Sequence, residues 1–419
     1  MQLRLTSLLG LVCFIGLAWV LSSNRKLFPR RTVLWGVALQ FVFALLILKT
    51  PWGAAVFSFT GTAIQQLIRF ANEGTRFVFG PLASDQAMGA VFPGNALVFA
   101  ILVTGTIIII SCLSSLLYHW GVLQRVVRAV AWVMRRAMGT SGSETLSAAA
   151  NIFMGQTEAP LLIKPYIPRM TRSELQCMMV GGMATIAGGV AAVYTKLGVD
   201  AGHPNMAGHL LTASVLNAPA ALLISKVMLP ETEESETRGV TPKDPPRLSV
   251  NSIDALCRGA SEGMMLSINI IAMLIAFVAV VALANHLLGL PQTLAGMTEP
   301  VTFQKIFGWL NAPFAWLMGI PPKDCLAVGQ ILGERIVLNE FIGYVSLTSP
   351  NTVISERAFA ITTYALCGFA NFASIAIQVG GIGSLAPDRR IDMARLGVRA
   401  MVGGLLATYT SACVAGVLL

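Results

Sequence analysis

The sequence predicts an all-α polytopic membrane protein, and three observations carry that fold class. Hydrophobic residues make up 55% of the 419 positions and charged residues only 12%, where an ordinary soluble domain carries about 25% charged residues. Apolar stretches of roughly 20 residues, enough to cross a ~30 Å hydrocarbon core as a helix, recur along the chain. The basic excess, 29 Lys+Arg against 20 Asp+Glu for a net charge of +9, falls in short clusters between those stretches, which is a topology signal and not a nucleic-acid-binding face. Eight transmembrane helices, two re-entrant helical hairpins and interfacial helices are expected, related by an inverted repeat. Seven cysteines lie mostly inside apolar stretches without a CxxC pair, so neither a disulfide framework nor a zinc site is supported.

Residues 3–22 form a retained first span, since no convincing cleavage site precedes Asn24-Arg25-Lys26. A second span covers 33–50. The loop between them carries Arg25, Lys26, Arg30 and Arg31 and is therefore cytoplasmic, which puts the N-terminus outside. Residues 51–80 mix apolar residues with Gln65, Gln66, Arg69, Asn72 and Arg76, as an amphipathic interfacial helix does. Segment 1–90 thus holds two spans and an interfacial helix. Segment 91–142 holds a third span, 95–118, and a short basic helix with Arg125, Arg128, Arg135 and Arg136.

Segment 143–228 opens with a stretch, 144–167, that is apolar but broken at its centre by Gly155-Gln156-Thr157-Glu158 and Pro160. Each half is too short to cross. Basic residues on both sides of it (Arg135 and Arg136 before, Lys164, Arg169 and Arg172 after) make it a re-entrant hairpin. Spans at 175–199 and 206–228 follow. The stretch 230–247, with four glutamates and four prolines, makes 229–250 a solvated cytoplasmic loop. Segment 251–320 contributes a sixth span, 262–288, and an interfacial piece, 303–320, with an internal Pro313. Segment 321–419 contributes a second interrupted stretch, 323–347, broken at Leu338-Asn339-Glu340-Phe341, then a span at 355–383, a basic loop and a last span ending outside. Glu334 and Arg335 in this second hairpin are either a mutual pair or a cap.

Sliding the chain by 182 residues places Glu158 on Glu340 and Ser173-Glu174 on Ser355-Glu356. Each half reads hairpin, then a span interrupted by small and polar residues: Ala184-Thr185-Ile186-Ala187-Gly188-Gly189 in one, Gly368-Phe369-Ala370-Asn371-Phe372-Ala373-Ser374 in the other. Two hairpins entering from opposite sides are what an inverted repeat produces.

A carboxylate at membrane depth costs several kcal/mol unless it is paired, protonated or hydrated, so Glu158 and Glu340 at corresponding breaks point to a shared polar cavity. Gln156, Thr157, Asn371 and Ser374 add neutral donors and acceptors, an inventory suited to a neutral polyhydroxyl ligand bearing a heterocycle. The plainer alternative is that these side chains only satisfy broken helix ends. His119, His203, His209 and His286 sit near span ends or in loops and read as interfacial. The 18 Met read as apolar filler. Gly181-Gly182 and Gly188-Gly189 read as close-packing positions, the second pair also easing the break.

The stretches Gly155-Gln156-Thr157-Glu158-Ala159-Pro160-Leu161-Leu162, Asn339-Glu340-Phe341 and Gly368-Phe369-Ala370-Asn371-Phe372-Ala373-Ser374-Ile375 resemble the signatures of concentrative nucleoside transporters, over roughly residues 90–419. The resemblance is to the bacterial eight-span form. It implies a homotrimer in the bacterial inner membrane that imports nucleosides such as uridine, cytidine or adenosine with a cation gradient, by an elevator-like movement. Carried over by residue, it implies that Gln156 and Thr157 bond the nucleobase directly and Glu158 through water, with Val190 lining the base pocket. Glu340, Asn371 and Ser374 would bind the ribose hydroxyls, with Phe369 beside the sugar. The side chains of Asn151 and Thr185 and the carbonyls of Met154 and Ile186 would hold a sodium ion. The family position at Met154 often carries Val, a change that a carbonyl ligand tolerates. Proton-coupled relatives tend to lose the polar ligands, so Asn151 and Thr185 favour sodium, a hard cation that prefers oxygen.

A carrier is therefore expected, and not an enzyme. An intramembrane hydrolase using Glu158 and Glu340 would lack any accompanying HExxH, GxSxG or Asp dyad. A passive channel fits poorly with two hairpin breaks that describe an occluded site, and no P-loop supplies ATP as the driver. Proton-coupled symport is the alternative to sodium.

Overall fold

Helix boundaries follow from caps and from backbone donors that prolines remove. In the computed structural model, which describes residues 1–84, 87–88, 91, 98–238, 249–297 and 300–419, every regular element is helical. The α-helices are α1 (Gln2–Val20), α2 (Arg30–Lys49), α3 (Pro51–Phe79), α4 (Phe99–His119), α5 (Val122–Met138), α6 (Gly142–Ala150), α7 (Arg172–Ala184), α8 (Gly188–Asp200) and α9 (Met206–Met228). They continue with α10 (Ser252–Leu294), α11 (Phe303–Leu317), α12 (Cys325–Val337), α13 (Glu340–Leu347), α14 (Glu356–Leu366), α15 (Phe372–Leu385) and α16 (Arg390–Leu418).

Among the described residues, five stretches are long and apolar enough to cross a bilayer: Gln2–Val20, Arg30–Lys49, Arg172–Asp200, Met206–Met228 and Pro387–Leu418. They correspond to the first, second, fourth, fifth and eighth expected spans. The third appears as Thr104–His119, bent by 76° from Val122–Met138 at Gly121, whose φ of 74° is left-handed and free of a Cβ penalty. Residues 95–97 of that expected span lie outside the described residues, as do 239–248 of the polar loop. The sixth span lies within the 43-residue α10, which overruns 262–288 at both ends because its polar first turns are capped by Asn251 accepting from the Asp254 N–H at 2.8 Å. The seventh is two helices, α14 and α15.

The first hairpin is only half helical. Its first arm, α6, starts in a capping box in which Ser141 and Glu144 satisfy each other's backbone N–H. Its second arm is the 3₁₀ turns Ala159–Ile163 and Ile167–Arg169, because Pro160, Pro165 and Pro168 have no N–H to give an α-helix. The second hairpin, free of proline between Lys323 and Leu347, forms α12 and α13 in full. Glu334 and Arg335 are neither paired with each other nor a cap. Ser346 donates to Glu334 at 2.5 Å, stapling the two arms together, while the buried Arg335 guanidinium donates to the Ala365 carbonyl and to Thr408.

The repeat is visible in the breaks. Helix α7 ends at Ala184 and α14 at Leu366, the same separation of 182 that relates Glu158 to Glu340. The two broken spans cross where they break. A Cβ on Gly368 would lie 2.7 Å from the Met183 carbonyl oxygen and 2.8 Å from the Ala184 carbonyl carbon, and the Phe369 N–H donates to the Thr185 carbonyl at 3.3 Å. Helices α9 and α16, buried over most of their length, pack against α7 at the centre. Helix α1 leans on α16 through Phe14 and Tyr409, ring centroids 5.4 Å apart. Helix α4 packs on α10 through Gly259 and Gly263, where a Cβ would sit 2.6 Å from Cys112 Cα and 2.9 Å from Ile108 Cα, the close approach that small residues permit between membrane helices.

A buried ionic cluster fastens the first hairpin to α7 and α9. Lys226 reaches Glu144 at 2.7 Å, Glu231 at 3.1 Å and the Ser173 hydroxyl at 2.9 Å, while Glu174 accepts from Ser143 at 3.2 Å and from Ser235 at 2.5 Å. A buried pair of this kind adds little over apolar packing, but losing one partner strands the other charge, at a cost of about 3–5 kcal/mol.

Candidate functional site

Helix ends at the breaks present backbone N–H groups, and short polar side chains cap them. Asn339 accepts from the Ile342 N–H at 3.0 Å to start α13, and Asn371 accepts from the Ser374 N–H at 2.9 Å to start α15. To that extent the plainer reading holds. Asn371 does more than cap, however: its Nδ2 donates to Glu340 Oε2 at 2.9 Å. The other oxygen, Glu340 Oε1, accepts from the Tyr194 hydroxyl at 2.9 Å. From the first hairpin, Gln156 Nε2 donates to the Ser374 hydroxyl at 3.2 Å, and Gln156 Oε1 accepts from Gln378 at 3.0 Å, which also donates to the Met179 carbonyl at 3.1 Å. One hydrogen-bonded chain thus runs from Tyr194 on α8 through Glu340, Asn371 and Ser374 to Gln156 and Gln378, joining both hairpins and both broken spans.

All six of those side chains are buried, so their mutual bonds offset the cost of taking polar groups out of water. Gly182 makes the approach possible, since a Cβ there would lie 2.7 Å from Gln378 Nε2 and 2.9 Å from Gln156 Cβ. Val190 is buried at the start of α8, and Phe369 is half-buried between α14 and α15. Thr157 is half-buried facing α15, its methyl 3.0 Å from where a Cβ on Gly381 would stand. Glu158 stands apart from the chain of bonds: its carboxylate accepts only the Gly155 N–H, at 3.2 Å, and the residue is exposed.

Sequence reasoning missed Tyr194 and Gln378. Tyr194 stacks on Tyr344, centroids 4.1 Å apart, and meets Phe341 edge-on, so in sequence it looks like one more aromatic of an apolar span. Gln378 was the better signal, a lone uncharged polar residue in the apolar run Ile375–Ile382.

Two of the expected cation ligands, Asn151 and Thr185, lie together at Gly181, where a Cβ would stand 3.3 Å from Asn151 Nδ2 and whose carbonyl takes the Thr185 hydroxyl. Asn151 is fully buried; its Nδ2 donates to the Ser147 carbonyl at 3.0 Å, but its Oδ1 has no partner. The Thr185 hydroxyl donates to the Gly181 carbonyl at 2.9 Å, leaving its lone pairs available. Among the described residues, neither the Met154 nor the Ile186 carbonyl receives a backbone hydrogen bond. An orphaned buried acceptor among neutral oxygens fits a hard monovalent cation. Among the described residues, no group of His, Cys, Asp and Glu has the makings of a metal site.

Family models match most of the chain: "Na+ dependent nucleoside transporter N-terminus" over residues 9–82, "Nucleoside recognition" over 100–200 and "Na+ dependent nucleoside transporter C-terminus" over 209–416. An uncharacterized transporter of Haemophilus influenzae is 42% identical over 418 residues, 98% of this chain and 97% of that protein. Sodium/nucleoside cotransporter 1 of Rattus norvegicus is 39% identical across 99% of this chain, which spans 64% of the longer rat protein. The solved structure of CNTnw in an inward-facing substrate-bound state is 40% identical and superposes with a TM-score of 0.91 over 99% of this chain and 97% of that one. A variant of CNTnw in an outward-facing state matches with the same TM-score at 38% identity, over 100% and 98% of the two chains. Sequence models, relatives and fold agree over nearly the whole length: this multi-pass membrane protein belongs to the concentrative nucleoside transporter family, a family of transporters and not of enzymes.

Proposed function

We propose that the protein imports nucleosides in symport with sodium, by elevator-type alternating access. The observation that carries this reading is the buried chain of hydrogen bonds that joins the two hairpins, Glu340 from one and Gln156 from the other. In this reading Glu340, Asn371 and Ser374 take the ribose hydroxyls with Phe369 beside the sugar. Gln156 and Thr157 take the base directly, Glu158 takes it through water, and Val190 lines the base pocket. Tyr194 and Gln378 hold Glu340 and Gln156 in place. Asn151, Thr185 and the carbonyls of Met154 and Ile186 would hold sodium, whose bound charge would complement the carboxylates and couple nucleoside binding to the gradient. Relatives named as sodium/nucleoside cotransporters and a neighbour captured substrate-bound and inward-facing support the reading. The basic clusters at 25–31, 125–136 and 389–399 support a bacterial inner-membrane protein with both termini outside, working as a homotrimer.

Uptake of labelled uridine and adenosine into proteoliposomes, with sodium and proton gradients imposed separately, tests the proposal. Accumulation is expected with sodium and lost without it; full uptake driven by pH alone would make protons the coupling ion. Thr185→Val keeps the side chain's shape and removes its hydroxyl, and it is expected to raise the sodium concentration for half-maximal uptake severalfold with little change in the maximal rate.

The ribose is expected to matter more than the base, because a carboxylate acceptor makes hydrogen bonds worth about 1.5–3 kcal/mol against about 0.5–1.5 kcal/mol for neutral ones. Free uracil should compete with uridine uptake only at concentrations about a hundredfold higher. Equal competition would move the sugar away from Glu340.

A further inference from the structure

Helix α5 lies directly after the bend at Gly121 and is two-faced. Val127, Ala131, Met134 and Met138 are buried on one side, while Arg125, Arg128, Trp132, Arg135 and Arg136 share the other. Its C-terminal carbonyls are satisfied from α2: Arg31 Nε donates to the Ala137 carbonyl at 3.1 Å, Arg31 Nη2 to Arg136 at 2.8 Å, and Thr32 Oγ1 to Met138 at 3.2 Å. Gly139, with φ 72°, closes the helix and lets Arg31 in; a Cβ there would sit 3.3 Å from the guanidinium carbon.

These contacts fix one wall of a cavity of about 380 Å³ lined by Arg31, Trp132, Arg135, Arg136, Thr140 and Arg238. Among the described residues, no carboxylate lines it. Among the described residues, none of the four arginines is paired with an acid. Arg135 is half-buried at this wall, and among the described residues its buried Nη1 has no hydrogen-bond partner. The negative end of the α5 dipole offsets part of the Arg31 charge, and Arg238 also borders the adjoining cavity lined by Glu144, Glu231, Glu233 and Glu234. Arg135, Arg136 and Arg238 around one small cavity, with Arg31 adding its charge while its Nε and Nη2 stay on the α5 carbonyls, make a site for an anion with several oxygens, because a guanidinium presents N–H groups in a planar fork that matches phosphate.

We propose that this cavity holds the phosphate of an anionic phospholipid headgroup. Depth and surroundings favour a lipid over a free anion. Helix α5 is an amphipathic helix joined through one bend to a membrane-crossing apolar helix, so it lies at the membrane surface. Trp132 at the rim is 58% exposed, and Val126 and Val133 beside it are also exposed, as residues at headgroup level are where they meet acyl chains. The arginines gather on the face that the basic clusters mark as cytoplasmic, where basic pockets between helices take anionic headgroups.

The test is binding of phosphatidylglycerol and phosphatidylcholine to the purified full-length protein in detergent, counted by native mass spectrometry across a lipid titration. Phosphatidylglycerol should bind at least tenfold more tightly. Arg136→Gln and Arg238→Gln, both at exposed positions, should each weaken it about fivefold while leaving phosphatidylcholine binding and the thermal midpoint unchanged. Equal binding of the two lipids by the wild-type protein would overturn the proposal whether or not the variants fold. So would unchanged phosphatidylglycerol affinity in both variants. Inorganic phosphate at millimolar concentration forms a third arm: failure to displace the lipid is expected, and complete displacement would make the site one for a free anion.

Discussion

Glu340→Gln is expected to weaken uridine binding by about 10- to 100-fold, and Glu158→Gln by no more than about threefold, although both residues stand at the central breaks and both changes conserve size. Glu340 lies at the first position of α13, 6% exposed, with one oxygen taking the Tyr194 hydroxyl and the other the Asn371 amide. A glutamine there has one acceptor where two donors converge, so either its NH₂ meets Asn371 Nδ2 or the Tyr194 hydroxyl must turn from donor to acceptor. That conflict, added to the loss of charge-assisted bonds to the ribose, amounts to about 1.5–3 kcal/mol, which is the stated range of affinity. Among the described residues Glu158 accepts a single backbone N–H and it is exposed, so a water bridging it to the base would reorient to suit an amide. The measurement is titration of uridine against each purified variant at fixed sodium. An equal loss, or a larger one for Glu158→Gln, would show that the two hairpins do not divide sugar from base.

Gly368→Ala is expected to destabilise the protein by about 3 kcal/mol and to abolish nucleoside and sodium binding together. The new methyl would meet the Met183 oxygen and the Ala184 carbonyl carbon and oxygen, all within 3 Å. These are backbone atoms that cannot rotate aside, so the strain falls on the crossing itself, at the upper end of what overpacking usually costs. Separating the crossing also breaks the Phe369 to Thr185 hydrogen bond, which ties the proposed sugar side of the site to the proposed cation side. Gly380→Ala is the control, because a Cβ there meets nothing within 4 Å and an added methyl in an open helix is neutral or slightly stabilising. Thermal unfolding of both variants, with uridine and sodium titrations, checks the contrast; a stable Gly368→Ala protein that still bound both ligands would remove the crossing from the mechanism.

What the sequence revealed about this site, it revealed through contrast. Glu158, Glu340, Asn371 and Ser374 are conspicuous because polar residues interrupt runs that are otherwise apolar, and the 182-residue spacing of Glu158 and Glu340 anticipated that α7 and α14 would break in register. Tyr194 carries no such contrast: an aromatic in an apolar span reads as core, and its hydroxyl acquires a role only when the crossing of the broken spans brings Glu340 to it across 146 positions of chain. The irregular second arm of the first hairpin was legible in Pro160, Pro165 and Pro168, which remove three backbone donors within nine residues, yet the apolar character of 159–167 argued for helix. For Glu334 and Arg335, adjacency in sequence suggested a pair, but neighbours on a helix point about 100° apart, and they bond to different elements. The full length of α10 was hidden because helix continues through polar turns that apolarity alone does not register.

Determining the structure of the protein with uridine and sodium bound tests the division of labour between the hairpins most directly. The ribose should lie within hydrogen-bonding distance of Glu340 and Asn371, the base against Gln156 and Val190, and an ion should contact Asn151 Oδ1. A nucleoside bound with its base toward Glu340, or held outside the crossing of the two broken spans, would contradict it.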